Sequence, residues 1–153
     1  NSKPQNETKL KPQEDEMPRN DSKTYDTLVN QETLDLDQET IFVRPTKGNI
    51  IRSYKKGSND GIDIGAKAGS DVLSADKGIV AAITKDTNGV SILVIKHTDG
   101  LLTVYTNIDN LMVKKGDPVA RGQKIAKVNK GSPEFLHFEV RKGLESVDPE
   151  DFI

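Results

Sequence analysis

The chain has 153 residues, of which 30% are charged and 33% hydrophobic, with a formal net charge of −2. That length suits one ordinary domain, and the charge gives no reason to expect nucleic acid as a partner. No apolar run approaches the roughly 18–20 residues of a membrane span, and no signal peptide is visible. Cysteine is absent, which excludes a disulfide framework but fits oxidising and reducing compartments alike.

Residues 1–40 are dominated by Lys, Gln, Asn, Glu, Asp, Ser and Thr, with Pro4, Pro12 and Pro18 interspersed. A segment so poor in large apolar side chains cannot bury enough surface to offset its ordering entropy, and it reads as an irregular polar linker, partly disordered. Its apolar pieces, Tyr25 to Val29 and Leu34 to Leu36, are candidates for docking or a short helix. The abrupt opening on Asn1-Ser2-Lys3, without an initiator methionine, is expected of a fragment of a longer exported protein.

From Ile41 the pattern changes to short β-type runs punctuated by glycine. Gly78 to Ile83 predicts one strand, the turn signal Asp86 to Gly89 follows, and Val90 to His97 predicts the next. Asp99-Gly100, between apolar runs, is a strong hairpin signal, and Leu101 to Asn107 completes a three-stranded meander. Asn110-Leu111-Met112 reads as a short irregular or helical piece. Val113 to Ile125 holds very short strands between Gly116 and Gly122, and Phe135 to Arg141 is the last predicted strand. No stretch sustains a helical period. The expectation is an all-β, mostly antiparallel domain over residues 41–153.

Strand alternation assigns faces. In the last strand Leu136, Phe138 and Val140 point to the core, and Phe135, His137, Glu139 and Arg141 to the opposite, polar side. Strict alternation in the third meander strand puts Thr103, Tyr105 and Asn107 on one face. Asn59 and Asp63 would stand roughly 13 Å apart on a straight strand, so the chain must bend near Gly61 for both to reach one site. The reading is a common groove for a partner, lined by Asn59, Asp63, Tyr105, Asn107, Phe135, His137, Glu139 and Arg141, with Lys55 and Lys56 near its entrance.

Three short stretches carry a family resemblance: Asn59-Asp60-Gly61-Ile62-Asp63, Tyr105-Thr106-Asn107 and Phe135-Leu136-His137. They resemble the signature motifs of LytM-type, lysostaphin-like zinc peptidases, which cut peptidoglycan cross-links. Around them, in matching order, stand Arg44-Pro45 with Gly48, Ala68 to Val72, Ala75 to Val80, Gly116 to Val119, Gly122 to Ile125 and Val147-Asp148-Pro149. The resemblance covers roughly residues 42–153 and implies the LytM fold, a β-sandwich or hybrid barrel of antiparallel sheets. It also implies that the metal-ligand positions fall on Asn59, Asp63 and His137, and the catalytic histidine positions on Asn107 and Phe135. His97 matches no ligand position and reads as structural.

Three of these positions do not carry the family's histidine. A catalytic zinc takes three protein ligands and an open position, and a carboxamide is a poor zinc donor. Neither Asn107 nor Phe135 can shuttle a proton in the working range. No zinc and no hydrolysis are therefore expected. The Asn-Asp-Gly opening resembles the degenerate NlpD-, EnvC- and DipM-like branch of Gram-negative division proteins. That branch implies a catalytically inactive factor in the periplasm, anchored to the outer membrane through a part outside this chain. Its implied role is to bind and activate a cell-wall amidase during septal peptidoglycan remodelling. The alternatives are a non-catalytic peptidoglycan-binding module and an active zinc endopeptidase. A biotinyl- or lipoyl-type carrier is suggested by Asp76-Lys77 and Gly116 to Gln123, but the long meander after Lys77 does not fit one.

Overall fold

Ten β-strands, paired throughout in antiparallel fashion, account for nearly all the regular structure among the described residues. The structure, a computed structural model, describes residues 40–153; the linker and docking readings for residues 1–39 lie outside that range. The strands are β1 (Ile50–Arg52), β2 (Ile62–Gly65), β3 (Asp71–Leu73), β4 (Gly78–Lys85) and β5 (Ser91–Lys96). They continue as β6 (Leu101–Asp109), β7 (Pro118–Val119), β8 (Lys124–Val128), β9 (Phe135–Lys142) and β10 (Glu145–Val147), followed by a single 3-10 turn at Pro149–Asp151.

Along the main path the order is β1-β2-β9-β6-β5-β4-β7, with β10 added to β9, β8 to β6, and β3 to β8. The three meander strands and the last strand form where the sequence predicts them, each running one to two residues longer or shorter. Asn110 to Met112 forms no helix.

The hairpin between β5 and β6 shows why Asp99-Gly100 is such a definite signal. Both residues have positive φ, 60° and 73°, as a type I′ turn requires if its twist is to match that of the flanking strands. The preceding turn is held differently: Asp86 Oδ1 accepts from the Asn88 and Val90 backbone N–H groups at 2.8 and 2.9 Å, the local side-chain bonding that makes aspartate a turn residue.

The core lies on the inner face of this sheet. Ile62 and Ile64 of β2, Leu136, Phe138 and Val140 of β9, Tyr105 and Ile108 of β6, and Leu93 and Ile95 of β5 are all essentially inaccessible. Phe42 and Phe152 close one end with ring centroids 5.5 Å apart, and the backbone ties the same point, Phe42 N–H donating to the Phe152 carbonyl.

Gly61 sits where the chain enters β2 across β9. A Cβ there would stand 2.3 Å from the Phe138 carbonyl oxygen and 2.8 Å from Glu139 Cγ. The first motif therefore needs glycine for the close approach that presents Asp63 to His137.

Candidate functional site

The groove is built on two paired strands. β2 and β9 align Asp63 directly opposite His137, and β9 and β6 align His137 opposite Thr106. Directly opposed residues on an antiparallel pair share a face, so the three side chains meet. The burial of β9 alternates as expected, with Leu136, Phe138 and Val140 inside and Phe135, His137, Glu139 and Arg141 half-buried on the outer face.

On that face a continuous ionic chain replaces what would be a metal centre. His137 Nδ1 lies 2.6 Å from Asp63 Oδ1, and Nε2 lies 2.9 Å from Glu139 Oε2. A carboxylate only accepts hydrogen bonds, so this geometry suits a ring that donates from both nitrogens, the imidazolium form. Burial is the largest single influence on His137 and opposes its charge. The hydrogen bonds to Glu139 and Asp63, with their negative charges, together outweigh it and raise the pKa.

Glu139 divides its two oxygens. Oε2 serves His137, while Oε1 accepts from Arg141 Nε at 2.9 Å and from Nη2 at 2.7 Å. The hydrogen bond from His137, aided by those from Arg141, holds the Glu139 carboxyl below its usual range despite burial. Looser contacts extend the chain outwards, Arg52 to Asp63 at 4.0 Å and Arg141 to Asp60 at 4.0 Å. Both outer residues are more than half exposed, and such contacts contribute little.

The residues present do not fit a zinc ion. Asp63 and Glu139 flank His137 from opposite ring nitrogens, so the ring stands between the carboxylates and no single point is in ligating reach of all three. Asn59 is buried and donates its Nδ2–H to the Ser53 carbonyl at 2.9 Å. Among the described residues no group of three or more histidine, cysteine, aspartate or glutamate side chains is arranged to hold a metal. The two carboxylates favour the protonated form of His137, which puts a positive charge between them.

The remaining candidates divide. Asn107 reaches the groove, donating Nδ2–H to the Phe135 carbonyl at 2.7 Å. Phe135, Asn107, His137 and Asp63 line a cleft of about 270 Å³ together with Thr106 and Arg52. Glu139 and Arg141 extend the same face away from that cleft. Lys55 and Lys56 are exposed on the turn closed by Lys55 and Asn59.

Tyr105 does not line the groove. It lies opposite Phe138 in the ladder and is fully buried, with its ring centroid 5.5 Å from that of Phe138. The reason is a bulge. Asn107 takes φ 67°, and the ladder between β5 and β6 skips it, passing from Ile92 opposite Thr106 to Ser91 opposite Ile108. Thr106 and Asn107 thereby both face the groove, while Tyr105 and Ile108 both face the core. Thr106, Arg52 and Asp86 are groove residues that alternation alone missed; the left-handed preference of asparagine was the available signal for the bulge.

Tyr105 instead anchors an internal polar chain. Its hydroxyl accepts the Ala75 N–H at 2.9 Å and shares a 2.8 Å hydrogen bond with Thr103, and burial pushes its pKa up to about 12. Thr103 in turn meets His97 Nε2 at 2.7 Å, and His97 Nδ1–H donates to the Lys77 carbonyl at 2.7 Å. Burial lowers the His97 pKa. His97 is a structural histidine with both nitrogens engaged.

An antiparallel β domain that pairs an aspartate strand with a histidine strand across this face has the architecture of the LytM-type peptidases, here with an altered ligand set. Residues 57–149 match the model of peptidase family M23, and the chain belongs to that family. It is 34% identical over 118 residues to the uncharacterized lipoprotein YgeR of Escherichia coli, covering 72% of this chain and 46% of the relative. It is also 34% identical over 110 residues to the murein hydrolase activator NlpD of Escherichia coli, covering 69% of this chain and 29% of NlpD. The chain thus spans less than half the length of either protein. Among solved structures, Helicobacter pylori Csd3 superimposes with a TM-score of 0.68 at 29% identity, covering 74% of this chain and 33% of Csd3.

Restoring a ligand tests the ancestry of the site. The purified protein is expected to carry no stoichiometric zinc by elemental analysis, and Asn59→His to bind zinc measurably, completing a His, Asp, His set with Asp63 and His137. Hydrolysis is expected to need Phe135→His and Asn107→His as well. Equal calorimetric titrations for wild type and Asn59→His would show that position 59 does not reach the groove.

Proposed function

We propose that this domain is a catalytically inactive factor that binds and activates a periplasmic cell-wall amidase, an N-acetylmuramoyl-L-alanine amidase, in cell division and septal peptidoglycan remodelling. The observation that carries the reading is the occupied imidazole. With both nitrogens of His137 held by carboxylates, the family's ligand strand is spent on an internal ion network rather than on a metal and its water. The similarity to a protein named as a murein hydrolase activator supports the same conclusion. In this reading residues 1–40 are a linker and residues 41–153 the functional unit. It acts in the periplasm, and the similarity to a lipoprotein supports attachment to the outer membrane through a part outside this chain.

What remains is a small cleft with one aromatic wall and a polar rim. That is the make-up of a recognition surface, where an aromatic anchor supplies much of the binding energy and the rim sets orientation. The proposed occupant is a regulatory helix of the amidase, laid into the groove and thereby withdrawn from the amidase's own active site, which is activation by population shift. Phe135 is the anchor. Arg141 acts from behind, holding Glu139 and through it His137.

Phe135→Ala is expected to cost about 1–3 kcal/mol of amidase binding, roughly a 5- to 150-fold loss of affinity. Release of dye from labelled sacculi by the amidase, with and without this domain, measures it. Undiminished stimulation by a Phe135→Ala protein that melts like the wild type would move the binding surface elsewhere. A second reading, a peptidoglycan-binding module, is favoured by Asp63, Asp86 and Arg52 around one cleft, a charge mixture suited to a stem peptide. Co-sedimentation with purified sacculi in the absence of amidase separates it from the first. Cleavage of cross-linked muropeptides by the wild-type domain would overturn both.

A further inference from the structure

A second, larger cleft lies away from the groove, between the entry segment Arg44 to Gly48 and strands β3 and β8. It measures about 860 Å³ and is lined by Arg44, Thr46, Lys47, Asp71, Leu73 and Lys124, with glycine and serine backbone between them. Its floor is fixed. Thr46, nearly inaccessible, donates its hydroxyl to the Asp71 carbonyl at 2.9 Å, and the Leu73 N–H donates to the Pro45 carbonyl at 2.7 Å. The entry segment is therefore stitched to β3.

The charge in this cleft runs against that of the chain. Overall the protein carries −2, yet the cleft sets Arg44, Lys47 and Lys124 around a single acid. That acid is already neutralised: Asp71 meets Lys127 Nζ at 2.6 Å and Lys124 Nζ at 3.5 Å. The hydrogen bond from Lys127 is the main influence holding its carboxyl below the usual range. Arg44 spends one N–H on the Gly48 carbonyl at 2.8 Å and keeps the rest of its guanidinium for a ligand. A concave surface with surplus positive charge over an apolar patch at Leu73 is complementary to carboxylates interleaved with apolar side chains.

We infer that this cleft is a binding site for an acidic, partly apolar peptide segment of a partner protein. A peptide is favoured over a membrane because the cations line a concave recess that also holds Leu73, and a recess fits a chain segment better than a lipid surface. It is favoured over a glycan because the cleft holds no aromatic ring for a sugar to stack on. The inference stands independently of the groove and of the amidase reading.

The test uses the full chain, with a short blocked peptide of alternating glutamate and leucine, its glutamine counterpart, and vesicles of phosphatidylglycerol and phosphatidylcholine. The acidic peptide is expected to shift the amide resonances of Gly48, Ser70 and Gly122, and the glutamine peptide to bind far more weakly. Raised salt should weaken the interaction. Lys47→Glu with Lys124→Glu is expected to lower affinity roughly tenfold or more, by reversing two charges facing the ligand. Lys55→Glu with Lys56→Glu, on a different surface, is expected to leave it unchanged and controls for net charge. Equal binding of both peptides, equal loss in both variants, or sedimentation with anionic vesicles without resonance shifts from the peptide would overturn the proposal. Should the Lys124 variant misfold, Lys47→Glu alone carries the test, because Lys47 is exposed and makes no ion pair among the described residues.

Discussion

Replacing His137 with alanine is expected to destabilise the domain by about 3–5 kcal/mol, the usual cost of removing one partner from a buried ion pair. The side chains of Asp63 and Glu139 are only 10% and 13% exposed, so water cannot fully take over from the lost imidazolium. Glu139 keeps Arg141 at 2.7 Å, whereas Asp63 is left with Arg52 at 4.0 Å. The greater part of the cost therefore falls on Asp63. The pH dependence gives the charge its own signature. His137 has a folded pKa above its unfolded value near 6.5, so its contribution is complete below that value and is lost as pH rises through the folded pKa. His97 acts in the opposite sense, its folded pKa being lowered by burial, so its contribution is lost as pH falls. The comparison must be between wild type and His137→Gln, in urea melts across this range. The difference in stability should shrink as the pH rises. A difference independent of pH would mean that the folded and unfolded pKa values are equal and the carboxylates do not hold the charge, and one that grows with pH would mean that the ring is neutral in the folded protein.

Phe138→Ala is expected to cost about 3–5 kcal/mol as well, through lost burial and the cavity left behind. Phe138 is fully inaccessible and stacks at a tilt on Tyr105, 5.5 Å between centroids. Its backbone lies between Ile62 of β2 and Tyr105 of β6, so its ring packs where the groove-bearing strands share one core. For a domain of this size the loss corresponds to a fall of roughly 10–25 °C in melting temperature. Calorimetry reads it directly. Because Phe138 alternates with His137 and Glu139, this variant should also loosen the ionic chain and narrow the pH difference described above. A melting temperature within a few degrees of wild type would place the ring at the edge of the core.

The two predictions lie on opposite faces of one strand, and that is where sequence and structure divide the credit. Phe135 to Arg141 alternates so cleanly that its core and groove faces were legible without coordinates, because the pleat repeats every two residues and burial on one side leaves no second register. The hairpin at Asp99-Gly100 was legible because its backbone angles admit few residues. The altered ligand set was legible too, since side-chain chemistry at Asn59, Asn107 and Phe135 does not depend on how the chain folds.

Three things were decided only by the tertiary structure. The bulge at Asn107 parted it from Tyr105, which stays in the core, and set it beside Thr106 in the groove; it depends on how β6 meets β5 as well as β9, a non-local choice that strict alternation cannot express. The fate of His137 depends on Glu139 and Asp63 reaching its two nitrogens from different strands, which local sequence does not specify. The cationic cleft exists because the entry segment is pinned to β3 through Thr46 and Leu73. It brings Lys124 to Arg44 and Lys47 from a distant part of the chain, and charges separated in this way become one surface only once long-range contacts close.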